Sequence, residues 1–456
     1  METTDDAQLP VEQILGNGFT QSGVLDLSSA VNILGPRQWW NGPLNVEQLA
    51  LGSVGLVATA LRSLSAGRFD VDISSSQVAA AFGSSSHLQI DGVKSEGFAQ
   101  HSGFYRTGDG WIRTHANYPH HERRLMQAVG ASTDADLRQA LFQLTSFSAQ
   151  ELIVAAGGVA AAVQDRSQWD ESDAGRAAQC GQWAQFSLRA GNGNQGWSYN
   201  PRANLPLEGL RVLDLTRVIA GPTASRTLAA LGADVLRVDA PHLPELQAQH
   251  VDTGFGKRSA LLDLSSPAHS ERMASLLDGA DVLLTGYRQG SLSRFGLDAQ
   301  SLEKKYPDLI SAELDAWGYE GPWVGRRGFD SIVQAACGIA DLYRTDQGEP
   351  GALPVQALDH ATGYGMAAAV IALVQTRSEH RGVGRVRFSL ARTAEALFAC
   401  GAPSRLGDEL DAPRLGRKES PYGDLVYALT PFVIDGQLLD YPAASPAYGQ
   451  DEPIWR

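Results

Sequence analysis

What this sequence lacks narrows the reading quickly. Only three cysteines, Cys180, Cys337 and Cys400, occur in 456 residues. They are far apart and odd in number, which leaves neither a disulfide framework nor a metal-ligand pattern. A reducing compartment, the cytoplasm, is the expected location. No stretch approaches the ~18 consecutive apolar residues of a membrane span. The first residues, Met1-Glu2-Thr3-Thr4-Asp5-Asp6, are acidic and polar, where a secretory signal needs a basic start and an apolar run. Lysine is nearly missing: five of the 37 basic residues are lysine and the rest arginine. Genomic bias accounts for most of that skew, although arginine also suits bidentate phosphate and carboxylate contacts. The net charge of -14 argues against a general nucleic-acid binder. It leaves room for a small anionic ligand, because local charge governs that case.

Several nucleotide and hydrolase signatures are missing too. The turn Leu215-Thr216-Arg217-Val218-Ile219-Ala220-Gly221-Pro222 has no G-x-G-x-x-G, so neither nicotinamide nor flavin is expected. Gly254-Phe255-Gly256-Lys257-Arg258-Ser259 looks like a P-loop, but Arg258 stands where Ser or Thr must follow the lysine. No G-x-S-x-G elbow occurs, which removes the common serine hydrolases. His120-His121-Glu122, with His115 nearby, could suggest a metal site, but adjacent histidines point different ways and no third ligand is placed by spacing. No metal is expected, and packing or solvation is the favoured role of these histidines.

What is present is an α/β rhythm after Pro206. Short apolar runs at 211–215, 235–238, 260–264, 281–285 and 309–314 alternate with helical stretches at 221–231, 269–277 and 299–305. This alternation predicts βαβ units and a parallel sheet. Ligands of such sheets sit beyond the carboxyl ends of the strands. Basic residues recur along the expected rim and its loops: Arg217, Arg237, Lys257, Arg258, Arg288 and Arg294. A ligand with several phosphates would use such a rim. Composition suggests boundaries at the Gly- and Asn-rich stretch 190–200 and near Cys400, giving parts 1–200, 201–400 and 401–456, with a largely irregular tail. Asp330 opens an apolar helix running to Cys337, and alone it reads as a helix N-cap.

A weak internal repeat joins the two ends of the chain. At an offset of 315, Arg62, Ser63, Gly67, Val71, Ser74, Ala79 and Ala81 match Arg377, Ser378, Gly382, Val386, Ser389, Ala394 and Ala396. Both copies read as apolar helix, glycine turn, strand and alanine-rich helix. Asp330 then corresponds to Leu15 and Asp359 to Leu44, so a single copy of any carboxylate site is expected.

From Leu207 to about Cys400 the sequence resembles the family III CoA transferases, the CaiB/BaiF family. Five ordered segments carry the resemblance: Leu207 to Leu215 through Ala220-Gly221-Pro222 and Leu231-Gly232-Ala233-Asp234-Val235; Gly256-Lys257-Arg258-Ser259 before Leu262-Asp263-Leu264; Gly286-Tyr287-Arg288-Gln289-Gly290 with Arg294-Phe295-Gly296-Leu297; Gly318-Tyr319-Glu320-Gly321-Pro322 with Arg327-Gly328-Phe329-Asp330; and Asp359, Thr362 and Gly363 in a "DxxTG" pattern. Gly286 replaces the family's usual Asn, and Gln289 its Pro.

The resemblance implies an open parallel, Rossmann-like sheet with a smaller α+β domain. It also implies transfer of coenzyme A, a substrate here, from an acyl-CoA donor to a carboxylic acid. The nucleophile would be Asp330, acting through an aspartyl anhydride and an aspartyl-CoA thioester. Carried over by motif, Arg217, Val218, Ile219, Ala220, Arg237, Lys257, Arg258, Gly286, Tyr287, Arg288 and Arg294 are the expected CoA contacts. In the first 200 residues, Val71-Asp72-Ile73-Ser74 and Asp109-Gly110-Trp111-Ile112 are similar to pieces that come later in ordinary members, so the parts stand in a fused or permuted order. An interlocked homodimer is also implied. Two alternatives stand beside this: a non-catalytic CoA-ester-binding subunit, and an α-methylacyl-CoA racemase. The latter needs a histidine ahead of its aspartate. None occurs between His269 and His360, and Phe329 precedes Asp330.

Overall fold

The computed structural model describes residues 10–28, 31–94, 97–191, 196–403 and 409–456. The acidic start Met1–Asp6 and the Asn192–Gln195 part of the glycine-rich stretch lie outside the described residues.

Seven strands form the central sheet: β1 (Gln185–Arg189), β2 (Arg211–Leu215), β3 (Asp234–Asp239), β4 (Arg258–Leu261), β5 (Val282–Thr285), β6 (Ile310–Asp315) and β7 (Val383–Ser389). Their spatial order is β4-β3-β2-β5-β6-β7-β1. β2 to β7 run parallel, and β1 closes the edge antiparallel to β7. Val212, Leu213, Leu236, Leu283, Leu284, Ile310 and Ala312 are all fully buried, as expected when helices cover both faces of a parallel sheet. The strand order reverses between β2 and β5, and a crevice opens at such a point beyond the strand ends.

The helices that matter for the site are Ala220–Ala230, which follows β2, and Ala357–Ser378, which precedes β7. The latter is long and apolar enough to cross a membrane by length and composition, yet it is buried within the protein. It packs along Val46–Leu64 from the other end of the chain. A β-carbon on Gly363 would lie 2.4 Å from the Ala220 carbonyl oxygen, so only glycine lets helix Ala357–Ser378 approach helix Ala220–Ala230 this closely.

The repeat is visible as structure. Val46–Leu64, Val71–Ser74 and Ser75–Phe82 form a helix–strand–helix unit, as do Ala357–Ser378, β7 and Leu390–Ala399. A separate small α+β layer consists of the antiparallel strands Phe104–Arg106, Trp111–Thr114 and Ala160–Ala162 with three helices. Its core is built on Tyr105, Ile112, Leu125, Leu137 and Ile153. The main core runs from Leu15 to Phe432, and strand Phe432–Ile434 pairs with Val71–Ser74, so packing crosses residues 200 and 400.

The tail is less irregular than its composition suggests. Leu415–Ser420 and Gly423–Ala428 form an antiparallel hairpin, because alternating residues of the second strand, such as Leu425 and Tyr427, are buried. Among the described residues of the tail, 409–414 and the stretch after Leu438 lack strands and helices.

Candidate active site

A cavity of about 380 Å³ lies at the carboxyl ends of β2, β5 and β6. The loop after β2 contributes Arg217, Val218 and Ala220, and the loop after β5 contributes Gly286, Tyr287 and Arg288. Asp315 and Ala316 come from the end of β6, and Arg327, Gly328 and Phe329 from the loop ahead of helix Asp330–Ala336. The small α+β layer closes the cavity with Tyr118, His120, His121 and Arg124, at the start of helix Pro119–Val129.

Asp330 sits at this wall. It is fully buried, while its neighbours Phe329 and Asp359 line the cavity. The cap position belongs to Phe329, with extended backbone and no side-chain cap bond. Asp330 is therefore the first helical residue, not the cap that its sequence position suggests. Its carboxylate is held both by its own helix and by helix Ala357–Ser378. Gln334 Nε2 donates to Oδ1 at 2.5 Å, and the Asp359 backbone N–H donates to Oδ2 at 3.0 Å. Gln334 is fixed in turn, since its Oε1 accepts from Leu353 N at 2.9 Å. Asp359 lies in the first turn of helix Ala357–Ser378, so the positive end of that helix, the longest of those described, faces the carboxylate. A β-carbon on Gly328 would meet Ala316 Cβ at 2.5 Å and the Trp317 ring. Glycine there lets the loop bring Asp330 down onto the sheet.

Burial raises the Asp330 carboxyl to about 6, against the lowering effect of the Gln334 bond and the backbone N–H groups of Asp359 and Leu358. Asp359 is pushed up much further, by burial first and then by the charge of Asp330 beside it. Two neighbouring buried carboxyls thus divide into one that ionises and one that keeps its proton.

Strain is stored in the loop after β2. Val218 has a φ of 70°, a left-handed conformation that a β-branched residue rarely adopts. Glu245 holds it there by accepting from Val218 N at 3.1 Å. Glu245 also accepts from Tyr118 Oη and pairs with Arg237 at 3.0 Å and Arg217 at 3.6 Å. Arg237 and Arg217 hold the Glu245 carboxyl down at about 2 despite its burial.

The expected CoA contacts divide sharply. Arg217, Val218, Ala220, Gly286, Tyr287 and Arg288 share the cavity, and Ile219 caps helix Ala220–Ala230 beside them. The other four do not line it. Arg237 lies buried inside β3, bonded to Asp239 at 2.7 and 3.1 Å and to Glu245, with only Nη1 unpartnered. Lys257 is buried against Asp214, Ser225 and the Pro222 carbonyl. Arg258 begins β4 at the opposite, amino edge of the sheet, where it grips Asp234 at 2.8 and 3.1 Å. The strand starts two residues before the apolar run at 260–264, and with either start the "KRS" motif lies at its amino end. Arg294 is exposed in the short turn Ser293–Phe295, its guanidinium over the Phe295 ring. Gly286 has ordinary room around it, with a β-carbon no closer than 3.5 Å to any neighbour.

Sequence order misplaced the histidines. The ring of His115 stacks on Phe329 at 3.7 Å, and His121 meets the same ring edge-on at 5.8 Å. Histidines therefore do reach the site, delivered by the small α+β layer. Burial lowers His115 to about 3 and His121 to about 2, so both stay neutral near pH 7. Among the described residues no group of three or more His, Cys, Asp or Glu is placed to hold a metal ion.

Comparison with known proteins fits this geometry. Residues 207–426 match the model of CoA-transferase family III. The chain is 37% identical over 194 residues to a probable fatty acyl-CoA transferase, Rv3272, of Mycobacterium tuberculosis, covering 40% of this chain and 49% of that protein. It is 36% identical over 205 residues to the acetyl-coenzyme A transferase nodX of Hypoxylon pulicicidum, covering 42% of this chain and 34% of that protein. The crystal structure of Rv3272 in its orthorhombic form aligns at 35% identity with a TM-score of 0.41, covering 43% of this chain and 57% of that one. The chain thus spans about half or less of the length of the two curated relatives. The match to CoA-transferase family III covers the segment from residue 207 to 426, just under half of the chain.

Proposed function

We propose that the protein is an acyl-CoA:carboxylate CoA transferase with Asp330 as its nucleophile. The observation that carries this reading is one buried carboxylate, held by Gln334 and by the N-terminus of helix Ala357–Ser378, at a cavity rimmed by the family's CoA-binding loops. Asp330 Oδ attacks the thioester carbon of an acyl-CoA, expelling CoA thiolate and leaving an acyl-aspartyl anhydride. The thiolate attacks the aspartyl carbonyl, giving an aspartyl-CoA thioester and releasing the donor acid. The acceptor carboxylate attacks that thioester, forming a new anhydride and freeing the thiolate again. Attack of the thiolate on the acceptor's acyl carbon yields the new acyl-CoA and restores Asp330. No ATP is consumed, because each step exchanges one activated acyl bond for another. The Asp359 and Leu358 N–H groups, which already face the carboxylate, suit an oxyanion developing on it. Coenzyme A would lie along Arg217–Ala220 and Gly286–Arg288.

The finer organisation belongs to the same proposal. Its Rossmann-like character is supported by the reversal of strand order, and a permuted order by the small-domain motifs lying ahead of residue 200. A division into parts 1–200, 201–400 and 401–456, a homodimer and a cytoplasmic location complete it. The free state of Cys180, Cys337 and Cys400 supports the location. The racemase alternative loses support for a different reason than chain order: the histidines at Phe329 are neutral and packed, and poor proton carriers near pH 7.

The test is chemical trapping. The protein is incubated with an acyl-CoA, treated with hydroxylamine or borohydride, and digested for mass spectrometry. Modification confined to Asp330, together with loss of exchange in Asp330→Ala, is the expected result. Turnover with Asp330 unmodified, or full activity in Asp330→Ala, overturns the mechanism. Binding of CoA esters without exchange across a broad panel of acids would instead support the non-catalytic subunit.

A further inference from the structure

Two acidic side chains line the cavity, Asp315 and Asp359, and they are held differently. Asp315 accepts from Trp317 N at 2.8 Å and from Gly318 N at 3.2 Å. The Asp359 carboxyl has no hydrogen bond or ion pair among the described residues, although the residue is only 6% exposed. Its backbone N–H reaches Asp330 Oδ2 at 3.0 Å. The free carboxyl springs from that same residue, so it stands beside the nucleophile at the cavity wall. Burying a polar group without a partner costs stability. A reacting substrate would answer it.

Burial first, and then the charge of Asp330, keep the proton on Asp359. The arginines of the cavity make no ion pair with it among the described residues, and Arg226 on the neighbouring helix Ala220–Ala230 is bonded to Asp252. Other proton carriers at this wall are engaged or too weakly acidic. Tyr118 gives its hydroxyl hydrogen to Glu245. Tyr287 is pushed up to about 12 by burial. Burial holds His115, His120 and His121 neutral. Asp330 and Asp359 thus share one negative charge. When Asp330 attacks a thioester, that charge is consumed in a new bond, and the repulsion that helped to keep the proton on Asp359 goes with it. Asp359 becomes a stronger acid just as a sulfur anion forms beside it, and a thiol ordinarily has a pKa of about 8.5.

We propose that Asp359 is a second catalytic residue, a general acid–base that hands its carboxyl proton to the coenzyme A sulfur and takes it back. This rests on the transferase reading above and deepens it. As Asp330 Oδ bonds to the acyl carbon, the C–S bond breaks and its electron pair stays on sulfur. The Asp359 O–H bond breaks, its pair stays on oxygen, and the proton joins sulfur. The products are an acyl-aspartyl anhydride, a CoA thiol and an Asp359 carboxylate. That carboxylate then removes the thiol proton as sulfur bonds to the aspartyl carbon, and the anhydride C–O bond breaks to release the donor acid as its carboxylate. One negative charge is present throughout, first on Asp330, then on Asp359, then on the departing acid. The acceptor half of the reaction runs the same transfers in reverse.

Single-turnover formation of the Asp330 adduct tests this on the full chain, at pH 8 in water and in deuterium oxide, with acetyl-CoA, octanoyl-CoA and succinyl-CoA as donors. The wild type is expected to react more slowly in deuterium oxide. Asp359→Asn keeps the size and neutrality of the side chain but has no acidic proton to transfer. It is expected to form the adduct on the order of a hundredfold more slowly and to lose the solvent isotope effect, with calorimetry on free CoA showing that the variant is folded. Equal wild-type rates in the two solvents overturn the proposal without recourse to any variant. An unchanged rate in Asp359→Asn overturns it too, as does an isotope effect that survives the substitution. Failure of the transferase reading looks different: none of the three donors then leaves an adduct at Asp330 in the wild type, and both readings fall.

Discussion

Two helix–strand–helix units, 46–82 and 357–399, share a backbone plan and a sequence pattern at an offset of 315. Their long helices lie against each other in one core, and Phe82 from the first stacks on Tyr364 of the second at 5.7 Å. They part company at the start of the long helix. In the later unit that end carries Asp359 and presents its N–H groups to Asp330. In the earlier unit the corresponding positions are Leu44 and Leu15, 5% and 0% exposed. One copy of the plan is spent on packing. The other leaves the positive end of its helix free to hold a charge. A carboxylate site therefore needs more than the unit itself: it needs Gln334, an approaching loop made possible by Gly328, and a cavity at the switch point of the sheet.

The harshest way to break the comparison is to write the carboxylate into the packing copy. Leu15→Asp, at the counterpart of Asp330, puts a charge at a fully buried position. We expect no added activity and a loss of stability of about 3–5 kcal/mol, read by urea denaturation. A stable variant with new exchange activity would mean that both copies can host the site.

The pH profile sharpens the comparison from the working side. The nucleophile is the ionised form of Asp330, and burial raises its pKa from 3.8 to about 6. Adduct formation should therefore be slow below pH 6 and rise to a plateau above it. The stability sign is opposite. Between 3.8 and about 6 the folded state holds a proton that the unfolded chain has released, so this group's contribution is fully present below 3.8 and is lost as pH rises through about 6. Asp330→Asn should lack both trends. Melting temperatures of the two proteins at pH 5 and pH 8 measure this: the wild type should lose ground to the variant at the higher pH. Parallel curves would place the titration elsewhere.

Much of this was legible in the sequence, and the failures have physical causes. Apolar runs located the parallel strands β2, β3, β5 and β6 within a residue, because a doubly covered sheet has no polar face to confuse the pattern, while β4 ends three residues before its expected run does. Asp330 and the two rim loops were legible through motif resemblance. Lys257 and Arg258 were not, because they stand at the start of β4 and not at its carboxyl end, and neither lines the cavity. Arg237 was misread because a charge inside a strand looks the same in sequence whether it meets a ligand or, as here, Asp239 and Glu245. The histidines on Phe329, together with Tyr118 and Arg124, come from a distant stretch, and no local pattern reports a contact between the small α+β layer and the rim. Glu245, which holds Val218 in its left-handed conformation, carried no motif at all.

The seam between those two regions offers a milder break. Tyr118 reaches from the small layer to Glu245, so Tyr118→Phe removes one charge-assisted bond and leaves the other partners of Glu245 in place. The expected cost is about 1.5–3 kcal/mol, seen as a fall of a few degrees in melting temperature. An unchanged melting temperature would show that the small layer is held to the sheet by its apolar contacts alone.

The smallest effect tests which arginines belong to the rim. Arg217 lines the cavity on the loop after β2, and its guanidinium, though paired with Glu245 at 3.6 Å, is the one cation on that loop. Arg294 lies outside the cavity and rests on Phe295 at 4.5 Å. Both match the family's pattern equally well by sequence, so only geometry separates them. Arg217→Ala should weaken CoA binding by roughly tenfold, the worth of one charge-assisted contact. Arg294→Ala should leave it within about twofold, as expected for an exposed cation over a ring. Calorimetry with free CoA reads both. A larger loss in Arg294→Ala than in Arg217→Ala would mean that the ligand runs out past the turn Ser293–Phe295, and that the motif, not the cavity wall, marks its path.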